Sequence, residues 1–249
     1  MAQSRHSQST AALRPGNYAP ASVPLHGAPS VAIMTIDLHY ILASGPCRSV
    51  MLTAKAIGVE LNLKPCDLFS GEHLKPEFIK MNPQHTVPTL DDNGFYLSES
   101  RAIMEYLVDQ YAKNDSLYPK DAKKRAVVTQ RLYFDMGTLY QRLIYYYLPV
   151  MLDKASPDPE KLKKLHEALG FLNTILNGQD WVAGSSFTIA DITLVSTVST
   201  AESVGVDVSE YKNVTRWFEK CKKSIAGYNE INHKGCLQLK EIYNNALKK

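Results

Sequence analysis

"TIDLHYILASGPCRSVMLTAKAIG", residues 35–58, decides the fold. Its first eight residues (35–42) alternate and are rich in β-favouring side chains, so they read as a strand. "ASGPCRS" (43–49) follows as a turn. "RSVMLTAKAIG" (48–58) has apolar residues at helical spacing and stops at Gly58, a natural helix C-terminus. A strand, a tight turn and a helix put Ser44-Gly45-Pro46-Cys47 at a helix start, where unpaired N–H groups favour negative charge.

Working outward, "VELNLKPCDL" (59–68) reads as a second strand. A polar loop with a short helix over 76–81 comes next. "TVPTLDDNGFYLSES" reads as a hairpin: strand 86–90, turn Asp91-Asp92-Asn93-Gly94, strand 95–97, with Asn-Gly as the turn signal. "SRAIMEYLVDQYA" (100–112) is then a helix. The order β-α-β-α-β-β-α is that of a thioredoxin-like half. Residues 113–120 form a polar linker, and the periodicity from 121 to 249 is helical: 121–153, 158–177, 188–204, 211–225 and 235–248. The fold expected is an α/β thioredoxin-like N-terminal domain (34–112) followed by an all-α domain. In "SFTIADITL" (186–194) Thr188 and Asp191 make a capping box, flanked by Phe187 and Ile192 at the spacing of a hydrophobic staple. It starts a helix and carries no chemistry.

Composition narrows the function. The chain has 249 residues, 45% hydrophobic and 21% charged, and a net charge of +3. Arg5 and Arg14 stand without any acid in residues 1–33, so the remainder is nearly neutral, which argues against nucleic acid or an anionic membrane as a partner. The longest apolar run, Ile189 to Val208, is broken by Asp191 and Glu202 and falls short of the ~18 uninterrupted residues of a membrane span. Cys47, Cys66, Cys221 and Cys236 show neither C-x-x-C nor metal-ligand spacing; they read as small core residues in a reducing, cytoplasmic compartment. Residues 1–33 are rich in Ala, Ser and Pro, lack Asp, Glu and Lys, and show no apolar period. They read as a disordered leader, with a transit peptide as the weaker alternative.

Four stretches, "SGPCRSVMLTAKAIGVELN", "GEHLKPEFIKMNPQHTVPTLDDNGFYLSESRAI", "RLYFDMGTLYQRL" and "FTIADITL", together resemble the cytosolic glutathione transferases, the insect delta class first and epsilon next. The resemblance runs from Met34 to about residue 230 and implies that glutathione is a co-substrate, that no metal is needed, and that the protein is a homodimer. It places Thr86, Val87 and Pro88 against the backbone of glutathione, with a cis Val87-Pro88 bond turning Val87 toward the tripeptide like an added strand. Glu99, Ser100 and Arg101, at a helix start, take its γ-glutamyl end. His73 and His85 lack the further ligands a zinc site would need; the resemblance puts them near the glycyl carboxylate.

Thioredoxin-like redox proteins carry Cys-Gly-Pro-Cys where this chain reads Ser44-Gly45-Pro46-Cys47. A hydrolytic serine would want a G-x-S-x-G turn, which is absent. If the thiol arrives with glutathione, Ser44 is the catalytic residue by donating a hydrogen bond that favours the thiolate. Pro46, Leu68, Tyr140, Leu143, Ile144 and Tyr147 form a hydrophobic acceptor wall, since Tyr133, Tyr140, Tyr145, Tyr146 and Tyr147 bring more hydroxyls than a dry core accepts. The function implied is conjugation of glutathione to hydrophobic electrophiles, as in detoxification, xenobiotic metabolism and insecticide resistance; the same thiolate opens peroxide reduction as a further reaction. A glutathione-gripping carrier of hydrophobic ligands and a thiol-disulfide exchanger working through Cys47 are the rivals.

Overall fold

The computed structural model describes residues 35–248. The leader expected over 1–33 lies outside them. β1 (Ile36–Tyr40) pairs in parallel with β2 (Leu61–Pro65), so the chain must cross over between them, and α1 (Gly45–Ile57) is that crossover. A short helix α2 (Pro76–Met81) precedes β3 (Thr89–Asp92) and β4 (Phe95–Leu97), and the sheet order is β2-β1-β3-β4. β1 and β3 are antiparallel, as are β3 and β4.

The strand expected from residue 86 begins at Thr89 instead, because Pro88 has no N–H to give the ladder. The hairpin turn is tighter than the four residues expected. Asp92 pairs with Phe95, leaving Asn93 and Gly94 at φ 54° and 92°, the left-handed geometry of a two-residue turn. Asp92 stays in the strand because its carboxylate accepts the Tyr106 hydroxyl at 2.6 Å and that of Tyr111. The second strand also shrinks, from 59–68 to Leu61–Pro65.

α1 is capped at both ends. Cys47 N–H donates to Ser44 Oγ at 3.4 Å, and Gly58 closes the helix in the left-handed conformation. Cys47, Val50, Leu52 and Ala54 are buried between the sheet, α3 (Ser100–Tyr111) and the helical half.

The helical half contains α4 (Ala122–Phe134), α5 (Tyr140–Leu152), α6 (Pro159–Ile175), α7 (Ile189–Ser203), α8 (Lys212–Ser224) and α9 (Lys234–Leu247). The single helix expected over 121–153 is interrupted by a wider i→i+5 turn at Asp135–Leu139, and a second such turn, Tyr228–His233, leads into α9. The extra residue turns Asp135 inward, where it is fully buried and accepts the Thr193 hydroxyl at 2.9 Å. The segment 113–120 is more than a linker: Tyr118 is buried, and the Leu117 carbonyl accepts from Ile189 N–H at 3.0 Å.

α7 is the spine, buried from Ile189 through Ala201. Asp191 fixes its start. One carboxylate oxygen accepts Thr188 N–H at 2.9 Å, as the capping box requires; the other accepts Val182 N–H and Trp217 Nε1–H, each at 2.9 Å. The helix-starting acid therefore also ties α7 to α8. Asp191→Ala should strand these buried donors and cost about 2–4 kcal/mol of unfolding free energy. Chemical denaturation of wild type and variant checks this; equal midpoints would contradict it.

Candidate active site

The sheet gathers the expected site residues at one end. β1 runs into the loop that carries Ser44. Because β3 is antiparallel with His39 opposite Thr89, Val87 and Pro88 extend past the same end of β1. β4 runs back beside β3 with Leu97 opposite Leu90, so Ser98 to Ser100 and the start of α3 return there too. β2 is parallel to β1, Cys66 N–H donates to the Tyr40 carbonyl at 2.9 Å, and the loop that follows carries Leu68 and His73. Helix starts and loops at the carboxyl ends of strands are where α/β folds place ligands.

Ser44 is half-buried at the N-cap of α1, with Pro46 in the first turn. Its oxygen accepts the cap bond through a lone pair, and a hydroxyl still has its one hydrogen to donate. Cys47 is fully buried, and burial pushes its thiol up to about 11, only partly offset by the Ser44 hydroxyl. It is neither accessible nor ionised at neutral pH, so its geometry suits core packing and not disulfide exchange.

The Val87-Pro88 bond is cis, as expected. Val87 lies just outside the ladder that begins at Thr89. Asn82 braces this loop from beneath: its side-chain amide donates to the Thr86 carbonyl at 3.0 Å and to Thr89 Oγ1 at 2.9 Å. Glu99 is exposed and holds a left-handed backbone (φ 67°) before α3, a conformation a non-glycine residue keeps only when its surroundings impose it. Ser100 is buried at the first position of α3. His85 is exposed. His73 sits on a short 3₁₀ turn with a buried Nδ1 that has no hydrogen-bond partner among the described residues, and the two rings lie 6.0 Å apart.

Arg101 has a partner that the sequence pattern does not announce. Its guanidinium donates to Ser100 Oγ at 3.1 Å and forms a close ion pair with buried Asp135. Its charge is therefore already partnered within the protein. Asp135 was legible only as an acid on an apolar helical stretch, "RLYFDMG". Arg101 also lies 5.1 Å from the centre of the Tyr140 ring, linking the α3 start to the first residue of α5.

Two residues of the expected acceptor wall lie in the core instead. Leu143 is fully buried in the core and lines no open surface. Tyr147 is buried as well, its phenol pushed up to about 12 by burial. Pro46, Leu68, Tyr140 and Ile144 keep partial exposure. Burial raises the Tyr140 phenol well above its ordinary value, so it stays neutral.

The family model for the glutathione S-transferase N-terminal domain matches residues 38–109, and that for the C-terminal domain matches 140–224. A Nilaparvata lugens delta-class glutathione transferase is 56% identical, with a TM-score of 0.83 over 85% of this chain and 99% of that one. The chain belongs to the glutathione transferase family. An epsilon-class glutathione S-transferase from the housefly, Musca domestica, is 37% identical (TM-score 0.81; 85% of this chain, 98% of that one). A glutathione transferase homologue from Drosophila mojavensis, solved with bound glutathione, is 34% identical (TM-score 0.80; 85% and 97%). The protein is a transferase acting on glutathione, and of these three the delta-class enzyme is the most similar.

All four cysteines of the transferase are free and buried. Native protein treated with iodoacetamide at mildly alkaline pH should therefore keep Cys47 unmodified, as read by peptide mass spectrometry. Rapid Cys47 labelling would contradict the packing described.

Proposed function

We propose that the transferase ionises glutathione at Ser44 and adds the thiolate to hydrophobic electrophiles in detoxification. The observation that carries this is Ser44 itself: a hydroxyl capping α1, where Ser44 Oγ and the helix start face the same sheet end as Val87, Glu99 and Ser100. Val87 offers its backbone to the cysteinyl part of glutathione. Ser100 and the α3 start take the γ-glutamyl carboxylate, Glu99 takes the ammonium, and His73 and His85 lie toward the glycyl end. The unpartnered Nδ1 of His73 supports that role. Pro46, Leu68, Tyr140 and Ile144 receive the electrophile beside the sulfur.

Exposed apolar side chains on β4 and α4, among them Phe95, Tyr96, Val127 and Tyr133, support a homodimer that covers them. Free buried cysteines support a reducing, cytoplasmic setting. Among the described residues no helix is long and apolar enough to cross a membrane.

Turnover with an aromatic halide separates these roles. Ser44→Ala should lower kcat about ten- to a hundredfold while glutathione still binds, the loss of one hydrogen bond to an anion. Glu99→Ala and Ser100→Ala should instead raise the glutathione KM about tenfold or more. Negligible wild-type turnover with intact glutathione binding would favour a carrier.

A further inference from the structure

Arg48 is fully buried on α1, one turn beyond Ser44, and its backbone N–H donates to the Ser44 carbonyl at 3.1 Å. The rest of the transferase surrounds its guanidinium with neutral oxygens. Nη1 donates to the carbonyls of Ala43 at 2.7 Å and Leu42 at 3.2 Å, the two residues immediately before Ser44. Nη2 donates to Thr200 Oγ1 at 2.6 Å and reaches the Ser196 carbonyl at 3.5 Å, both on α7. Nε donates to Oδ1 of the fully buried Asn232 at 2.9 Å, and the Asn232 amide is itself anchored on Ser199 Oγ at 2.8 Å. Among the described residues, no carboxylate lies within ion-pair distance of it.

A buried cation without a counter-ion is costly, and a neutral amide could hold fewer of these oxygens but would avoid that cost. Its position at the start of α1 gives the charge a use. The nearby titratable groups are the Cys47 thiol on α1 and the Tyr147 phenol on α5; burial raises both, and the Arg48 charge pulls both back down. An anion at the Ser44 hydroxyl would feel the same field, with little water between to screen it.

α9 closes the arrangement. A Cβ at Gly235 would fall 2.3 Å from the Leu42 carbonyl oxygen and 2.6 Å from Arg48 Cδ, so only glycine lets that helix press on the loop.

We propose that Arg48 is a positioning residue for the conjugation reaction: its fork fixes the loop that presents Ser44, and its unneutralised charge favours the bound thiolate. This rests on Ser44 as the thiolate's hydrogen-bond donor.

The test is the pH midpoint of glutathione thiolate absorbance in the binary complex, with kcat and the glutathione KM measured alongside. Ser44→Ala should raise the midpoint by about one to two units. Arg48→Gln, which removes charge and fork, should raise it by roughly one unit, and Arg48→Lys, which restores the charge, by about half that. Gly235→Ala, which would displace Leu42 and the Arg48 side chain while keeping the charge, should raise it in the same direction. In each Arg48 and Gly235 variant kcat should fall below neutral pH and recover toward wild type at high pH, with KM within about twofold. Arg48 or Gly235 variants that fold and keep the wild-type midpoint while Ser44→Ala shifts it would overturn the role of Arg48 alone. No shift in Ser44→Ala would remove the foundation. If the Arg48 variants do not fold, Gly235→Ala and Thr200→Val decide by the same criterion, since a purely structural clamp lowers Tm and leaves the midpoint in place.

Discussion

The first turn of α1 is wedged between the sheet and α7, and the site follows from that wedge. Gly45 is there because α7 is so close: a Cβ would meet Thr200 Oγ1 at 3.0 Å. Pro46 starts the helix without an N–H that would need a partner. Cys47 and Arg48 turn into the interface and leave Ser44 at its edge. A hydroxyl, a helix start and a buried cation thus converge where the two halves meet. Helical packing from one half and strand order from the other are both needed to hold them.

The same contact leaves a serine, not a cysteine, at the partly exposed start of α1. Cys47 is buried and its thiol is pushed up, so no sulfur of the protein is poised for attack. Chemistry must be supplied by a thiol carried in by the substrate, and glutathione is the substrate of this family. The protein's part is then electrostatic and positional, the kind of contribution that a preorganised donor makes best.

Much of this was legible in local sequence. Gly58, Asn93-Gly94 and the Thr188–Asp191 box each mark an element end by a residue's own backbone chemistry, and the elements fall there. The helix start at Glu99-Ser100 is legible for the same reason, whereas the cis Val87-Pro88 bond comes from the resemblance and the strand expected across Pro88 begins only at Thr89. The interruption at Asp135 was not legible. An i→i+5 turn changes the helical phase by a single residue, and the partner it gives Asp135, Arg101, lies on a different helix far back in the sequence. A stripe at helical spacing does not say which side faces solvent, so the core takes Leu143 and Tyr147 from the expected wall. The role of Arg48 is not legible in sequence because its partners are neutral carbonyl, hydroxyl and amide oxygens, the Thr200 and Asn232 ones far along the chain, which leave no charge pattern to read.

On the proposed function, the start of α1 makes a thiolate out of a borrowed thiol. Absorbance titration of glutathione bound to the wild-type protein tests it most directly. The bound thiol should ionise at least about one unit below the roughly 8.5 of a free thiol. A bound thiol that titrates like free glutathione would contradict it.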